Sequence, residues 1–174
     1  MNKRVGLFLL ILVTAFAACK SKKAVTSKHQ QTKYTNKELK ALSHKLNLEI
    51  EKDDNVKLYQ FVAQWLGTPH KLGACTKSAI DCSCFVVLLY TEVYQTKLPR
   101  TSIEMHQKAT TTKQHKLKEG DLVFFSIKSK KVSHVGVYLK NGWFAHVTTS
   151  KGVMINNLSE EYYEKYFTSG GSFN

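Results

Sequence analysis

Acidic residues are scarce in this sequence. Its 13 aspartates and glutamates stand against 26 lysines and arginines, so the 174-residue chain has a formal net charge of +13. A surplus of this size favours an anionic partner. No basic block is interleaved with aromatic residues as in proteins that bind single strands, so we expect no nucleic-acid partner. Hydrophobic residues make up 43% of the chain, which argues against wholesale disorder and predicts a folded domain with a real core.

Long apolar runs are also missing. Lys3 and Arg4 precede an apolar run at residues 5–17, which is short for a membrane-spanning helix of about 20 residues. We therefore interpret residues 1–18 as an export signal. The small residues before Cys19 resemble a bacterial lipobox, in which the cysteine is lipidated and becomes the first residue after cleavage. Ordinary secretion with a free thiol is the alternative.

The segment after Cys19 is polar and basic, and residues 19–34 are typical of a tether between a lipid and a folded domain. Cleavage would remove Lys3 and Arg4 but no acidic residue, which lowers the net charge from +13 to +11. Anionic lipid headgroups and the acidic cell-wall polymer are then the expected counter-surfaces. We expect a membrane-anchored protein of the cell envelope, with its domain in the periplasm or, in a host with one membrane, outside the cell.

Cysteines are few, and their spacing does not fit a metal site. Besides Cys19 the chain has Cys75, Cys82 and Cys84, an odd number that outside the cytoplasm indicates a free thiol or an intermolecular bridge. A tight Cys-x-Cys with distant histidines lacks the paired spacing of zinc ligands, so we expect no metal and no other cofactor. If Cys82 stays free, Cys75 and Cys84 can pair. Two buried, unpaired thiols are the alternative.

The order of the sequence patterns predicts one α+β domain over residues 35–174, without internal repeats. Helical patterns come first. One begins after Thr35 or Asn36 and carries apolar residues as far as Ile50, a second follows a cap at 53–55, and a third, apolar nearly all round, runs over about 81–94. Strand patterns follow from Gly120 onward, at residues 121–125, 134–139, 143–147 and 153–155.

Cys82 lies at the expected start of the third helix, directly after a potential N-cap, Asp81. A hydrolytic cysteine must become a thiolate, and a helix N-terminus or a nearby imidazolium lowers a thiol pKa. His134 and His146 are the candidate imidazoles. A small buried cysteine in a core helix is the alternative.

The register of one hairpin decides whether the two histidines meet. A two-residue turn at 141–142 would place His134 and His146 on opposite faces of the hairpin. A three-residue loop puts Gly136 opposite His146 and makes His134 its diagonal neighbour on the same face. Only that register separates apolar from polar residues cleanly, so we predict it. His134 would then act as general base, and His146 would fix its tautomer. Two surface histidines on a hairpin are the alternative.

Six short motifs resemble, in the same order, those of the NlpC family of cell-wall cysteine peptidases. The resemblance covers about residues 56–167. The motifs are Leu66-Gly67-Thr68-Pro69, Asp81-Cys82-Ser83-x-Phe85, Leu98-Pro99-Arg100-Thr101-Ser102, Gly120-Asp121-Leu122-Val123-Phe124-Phe125, His134-Val135-Gly136-Val137-Tyr138 and Phe144-Ala145-His146.

The resemblance implies a papain-like NlpC-type fold, in which the nucleophile heads a helix packed on a small antiparallel sheet. It implies cleavage of the bond between γ-D-glutamate and a diamino acid in peptidoglycan. By the same resemblance, Cys82 is the nucleophile, His134 the base and His146 the orienting residue. The backbone N–H of Cys82 is a natural oxyanion donor.

Further site residues follow from the resemblance. Asp81 and Ser83 are expected to shape the turn and the substrate end of the site. Arg100 either holds a stem-peptide carboxylate or forms a plain surface salt bridge. The family usually has tyrosine where this chain has His70, and the tyrosine hydroxyl lies near the reacting carbonyl. The imidazole of His70 can donate a hydrogen bond in place of that hydroxyl. It has glycine where this chain has Cys84, so a side chain enters a tightly packed place.

Two other functions remain open at this point. One is a thiol amidase or acyltransferase on the same scaffold. The other is a non-catalytic lipoprotein that binds peptidoglycan. For the hydrolase, the expected partners are peptidoglycan stem peptides or muropeptides and, through the lipid, a membrane, and we expect a monomer.

Overall fold

The structure, a computed structural model, describes residues 34–127 and 129–173. The expected signal segment 1–18, Cys19 and nearly all of the tether lie outside these residues. No helix in the described ranges is long and apolar enough to cross a membrane.

The described residues form both helices and strands. The helices are α1 Asn36–Leu46, α2 Val56–Trp65, α3 Cys82–Val93, α4 Ser102–Lys108, a 3-10 helix Gln114–Lys116 and α5 Glu161–Tyr166. The strands are β1 Thr110–Thr112, β2 Leu122–Phe125, β3 His134–Tyr138, β4 Trp143–Thr148, β5 Gly152–Asn157 and β6 Phe167–Ser172.

The predicted starts of the first three helices are confirmed, and each has a side-chain cap. Thr35 caps α1, Asn55 caps α2 and Asp81 caps α3, each accepting a hydrogen bond from a backbone N–H in the first turn. The first helix is shorter than its apolar pattern, because the chain turns into the left-handed region at Asn47 (φ 51°). Ile50 is nevertheless buried, in the segment after that turn.

Six strands form one antiparallel sheet in the order β1-β6-β2-β3-β4-β5. The four strands expected from Gly120 onward are present. The short β1 and the C-terminal β6, which pairs with both β1 and β2, were not expected, nor were α4 and α5. A Cβ on Gly171 of β6 would lie 2.7 Å from the ring of Phe124, so the close approach of β6 to β2 requires glycine there.

Helix α3 is the central buried helix, as its apolar sequence predicts. Phe85, Val86 and Leu89 are fully buried and belong to the same core as Val135 and Val137 of β3. Burial of each side chain of this kind contributes roughly 1.5–3 kcal/mol. A second cluster lies around Phe125 and Phe144 and includes Tyr163 of α5. The helix that begins at Cys82 is therefore held firmly against β3 and β4.

Candidate active site

The hairpin of β3 and β4 has the register predicted from its polarity. Val137 pairs with Ala145, which places Gly136 opposite His146. The connection is a three-residue loop, with Gly142 in the left-handed region at φ 84°. A Cβ on Gly136 would lie 3.1 Å from the Cβ of His146 and 2.8 Å from the carbonyl oxygen of Ala145. Glycine at this position makes room for the imidazole across the hairpin.

The two histidines lie side by side on one face of the hairpin. Nε2 of His134 and Nδ1 of His146 are 2.8 Å apart, a hydrogen-bond distance, and the two rings meet edge to face. His146 is buried, with 1% of its surface exposed, whereas His134 is half-buried. The second imidazole can therefore orient the first while being shielded from solvent.

A further set of polar groups lies behind His146, and sequence reasoning missed it. Asn156 of β5 places Oδ1 2.9 Å from Nε2 of His146. Its Nδ2 lies 2.7 and 3.0 Å from the two carboxylate oxygens of Glu160. The hydroxyl of Tyr163 is 3.2 Å from both Nε2 of His146 and Oδ1 of Asn156. No motif marks these residues, which come together only through the pairing of β4 with β5 and the placement of α5.

Cys82 is the first residue of α3, and its thiol is the free one among the cysteines of the described residues. The backbone N–H of Val135 donates a hydrogen bond to its sulfur. Val135 directly follows His134 in β3, so the sulfur lies at the end of the strand that carries the candidate base. The structure thus places the sulfur beside the start of β3, whose first residue, His134, contacts His146.

Asp81 anchors the first turn of α3. Its Oδ1 accepts hydrogen bonds from the backbone N–H of Cys84 at 2.7 Å and from the hydroxyl of Ser83 at 2.9 Å. Arg100 donates to both carboxylate oxygens of Asp81, at 2.7 and 3.1 Å, and to the hydroxyl of Ser83 at 2.7 Å. Of the two roles open for Arg100, the structure shows the ion pair, which holds the start of α3.

The loop before α3 carries His70 and is joined to the helix by a disulfide. Cys75 and Cys84 are paired. The backbone N–H of Gly73 also donates to Asp81, at 3.0 Å. Cys84, which replaces the glycine of the family motif, is fully buried and makes this covalent link. The loop that brings His70 to the site is therefore fixed to the first turn of α3 at two points.

Comparison with known families matches residues 67–172 to the model described as the NlpC/P60 family. The matched segment is more than half of the chain. The chain belongs to the NlpC/P60 family.

Two curated relatives show how far the similarity extends. The chain is 30% identical over 166 residues to an Escherichia coli K12 protein named Murein DD-endopeptidase MepS/Murein LD-carboxypeptidase, and this match covers 93% of the chain and 88% of that protein. It is 40% identical over 105 residues to the Probable endopeptidase NlpC homolog of Haemophilus influenzae, covering 60% of the chain and 55% of that protein. The chain thus matches about half the length of the Haemophilus relative.

Solved structures share the fold. An NlpC/P60 family protein from Bacillus cereus aligns with a TM-score of 0.63 at 24% identity, over 68% of this chain and 40% of that one. RipD from Mycobacterium tuberculosis, described as a non-catalytic NlpC/p60 domain protein adapted to peptidoglycan binding, aligns with a TM-score of 0.56 at 18% identity, over 69% and 97%. The NlpC/P60 fold alone therefore does not establish catalysis, which must be argued from the site.

Burial keeps both imidazoles of this NlpC/P60 site uncharged near neutral pH. It lowers the pKa of His134 to about 3, and repulsion from the imidazoles of His146 and His70 on protonation acts in the same direction. Burial likewise lowers the pKa of His146 to about 4, although the hydrogen bond with Asn156 and the charge of Glu160 act in the opposite direction.

Burial also raises the pKa of the Cys82 thiol above its ordinary value. The backbone N–H groups of Val135 and Ser83 oppose this shift but do not outweigh burial. The sequence led us to expect a lowered pKa at the helix start, and that expectation is wrong for the free site. The Cys82 thiol and the His134 imidazole are therefore both uncharged near neutral pH.

The carboxylate of Asp81 contrasts with this neutral group. Burial raises the pKa of Asp81, but hydrogen bonds from Arg100, the Cys84 N–H and Ser83 outweigh it and hold that pKa below its ordinary value. The start of α3 therefore carries a fixed ion pair beside the uncharged thiol of Cys82. Within the described residues, no group of three or more histidine, cysteine, aspartate or glutamate side chains is placed to hold a metal ion.

Proposed function

We propose that this chain is a cysteine endopeptidase that hydrolyses stem-peptide bonds of peptidoglycan. Cys82 is the nucleophile, His134 the general base and His146 the residue that orients His134. The observation that carries the proposal is the contact between the two imidazoles, 2.8 Å apart, beside a free thiol at a helix start. Family membership and the murein endopeptidase named among the relatives support the substrate class.

The reaction follows from the protonation states of the site. As a stem-peptide carbonyl approaches, the Cys82 thiol gives its proton to the free ring nitrogen of His134, and the sulfur bonds to the carbonyl carbon. The carbonyl electron pair moves to oxygen, where the backbone N–H of Cys82 stabilises the charge and His70 can donate a second hydrogen bond. The protonated His134 then gives its proton to the leaving amine, and water hydrolyses the thioester by the reverse proton route.

Two bonds compete as the target. The resemblance of the motifs implies the bond between γ-D-glutamate and a diamino acid. The relative that matches 93% of the chain is named a DD-endopeptidase, which favours a bond between two D-residues. Mass spectrometry of fragments released from purified sacculi separates the two, since each cleavage leaves a different terminal residue.

A Cys82→Ala variant is the control for that experiment. Release by the wild type and none by the variant supports the hydrolase. Equal release by both proteins would overturn the proposed mechanism. Retention of both proteins on sacculi without release by either would favour a peptidoglycan-binding protein, as RipD is described. Transfer of the acyl fragment to an added amine instead of water would indicate the acyltransferase alternative.

We further propose that the protein is exported, lipidated at Cys19 and held at the cell envelope, with residues 19–34 as tether and a monomeric catalytic domain in the periplasm. The support is the sequence: a basic start, a short apolar run and small residues before Cys19. Labelled palmitate should be incorporated by the wild type and by Cys82→Ala, but not by Cys19→Ala. Labelling of the Cys19→Ala protein would refute this anchor.

A further inference from the structure

We infer that Glu160, acting through Asn156, sets the tautomers of His146 and His134 and thereby keeps Nδ1 of His134 free to accept a proton. Glu160 and Asn156 are positioning residues, since they act on the base through His146. The catalytic use of that nitrogen rests on the proposed function, whereas the tautomers themselves do not.

The first step is the orientation of the Asn156 amide. A carboxylate only accepts hydrogen bonds, so the group of Asn156 that faces both oxygens of Glu160 at 2.7 and 3.0 Å must be its NH2. Glu160 is itself held, because one of its oxygens accepts the backbone N–H of Asn157 at 2.7 Å. The carbonyl oxygen of Asn156 is left facing His146.

The second step is the tautomer of His146. Oδ1 of Asn156 has no hydrogen to donate, so the nitrogen 2.9 Å away, Nε2 of His146, must carry one. The hydroxyl of Tyr163 donates to the same oxygen, which strengthens this orientation. His146 is buried and neutral, so with its proton on Nε2 its Nδ1 is a bare acceptor.

The tautomer of His146 in turn fixes the tautomer of His134. Its Nε2 lies 2.8 Å from the acceptor nitrogen of His146 and must donate to it. Neutral His134 then has no hydrogen on Nδ1, which can receive the proton of Cys82. A reversed Asn156 amide would invert each hydrogen bond between Asn156, His146 and His134, and it would put a hydrogen on Nδ1 of His134. The base would then be blocked.

The test is nitrogen NMR of the full chain, purified in detergent and labelled with ¹⁵N-histidine. We expect the shifts of His134 and His146, assigned with single-site variants, to show hydrogen on Nε2 and none on Nδ1. In Glu160→Ala the two tautomers of His146 should mix, and kcat/KM on a stem peptide should fall about tenfold. The matched control is Glu161→Ala, which alters an exposed neighbour and should change neither property.

A double variant tests the direction of the hydrogen bonds. In Asn156→Asp with Glu160→Gln, the new carboxylate still accepts from His146, and the new amide donates to that carboxylate. The wild-type tautomers and most of the activity should return, which a loss of packing at α5 would not allow. Hydrogen on Nδ1 of His134 in the wild type, or unchanged nitrogen shifts in a folded Glu160→Ala protein, would overturn the inference. A wild type that has these tautomers but does not cleave peptidoglycan would defeat the proposed function alone.

Discussion

Two uncharged imidazoles next to an uncharged thiol define the chemistry at the residue scale. Burial lowers the pKa of both His134 and His146 and raises that of Cys82, so none of the three carries charge in the free site near neutral pH. An uncharged thiol and an uncharged imidazole avoid the cost of burying two charged groups while no substrate is bound. In the proposed mechanism, the thiolate of Cys82 forms only as its proton moves to His134, so the thiol should become reactive only when substrate is bound.

The first expected consequence concerns free Cys82. Its ultraviolet thiolate absorbance should appear only above its ordinary pKa of 9.0, because burial disfavours the charged form. Titration of the wild type against Cys82→Ser isolates this signal from tyrosine absorbance. A thiolate already present at neutral pH in the wild type would contradict a neutral resting pair.

The second consequence concerns acid stability. The folded pKa of His146 is about 4 and its ordinary value is 6.5, so between these values the unfolded chain binds more protons than the folded one. The free energy of unfolding should therefore fall as pH decreases from about 6.5 to about 4, by on the order of 3 kcal/mol for this side chain.

Denaturant unfolding at several pH values measures the slope of the free energy of unfolding against pH. His146→Asn should reduce this slope by roughly half, because His134, with a pKa of about 3, contributes over the same window. His115→Asn, at an exposed position, should leave the slope as in the wild type. Protonation of the ion-paired Asp81 also lowers the free energy of unfolding, but only at lower pH, below the ordinary aspartate pKa of 3.8. An unchanged slope in a folded His146→Asn protein would show that this histidine is not held neutral.

At the scale of elements, the start of α3 is both a helix cap and a part of the site. Asp81 accepts the Cys84 N–H, and Arg100 fixes the carboxylate. Asp81→Ala should lower the free energy of unfolding by about 2 kcal/mol, since it removes a helix cap and the carboxylate that pairs with Arg100. It should also reduce kcat, because Cys82 is the next residue.

Thr101 provides a matched comparison, since it caps α4 in a similar way with Glu104. Thr101→Ala should cost about 1 kcal/mol of stability and leave kcat unchanged. Thermal unfolding and turnover measured on both variants separate the two effects. Equal losses of activity in the two variants would mean that the cap of α3 has no special role.

The elements also show what the sequence could and could not predict. The hairpin register was predictable, because only one pairing put the apolar residues of β3 and β4 on the core face. Strand β6 was not, because its sequence, FTSGGS, has few apolar residues, and its glycines serve close packing against β2. Asn156 and Glu160 carry no local signal, since their role depends on contacts across β4, β5 and α5.

At the scale of the whole molecule, the helices and the sheet form a scaffold that presents the thiol at one end, and the disulfide joins the preceding loop to it. The link between Cys75 and Cys84 closes a short loop, nine positions apart in sequence. Replacing both with alanine should lower the free energy of unfolding by about 3 kcal/mol. Denaturant unfolding with and without a reducing agent measures this, and the double variant should no longer respond to the reductant.

The central claim is that the sulfur of Cys82 attacks a stem-peptide carbonyl with His134 as its base. Rapid acid quenching during turnover of a muropeptide, followed by mass spectrometry of the intact chain and its digest, detects the thioester directly. We expect an acyl fragment on the peptide that contains Cys82, and none in Cys82→Ala. Release of product at an undiminished rate by Cys82→Ala, with no adduct on the wild type, would contradict the account.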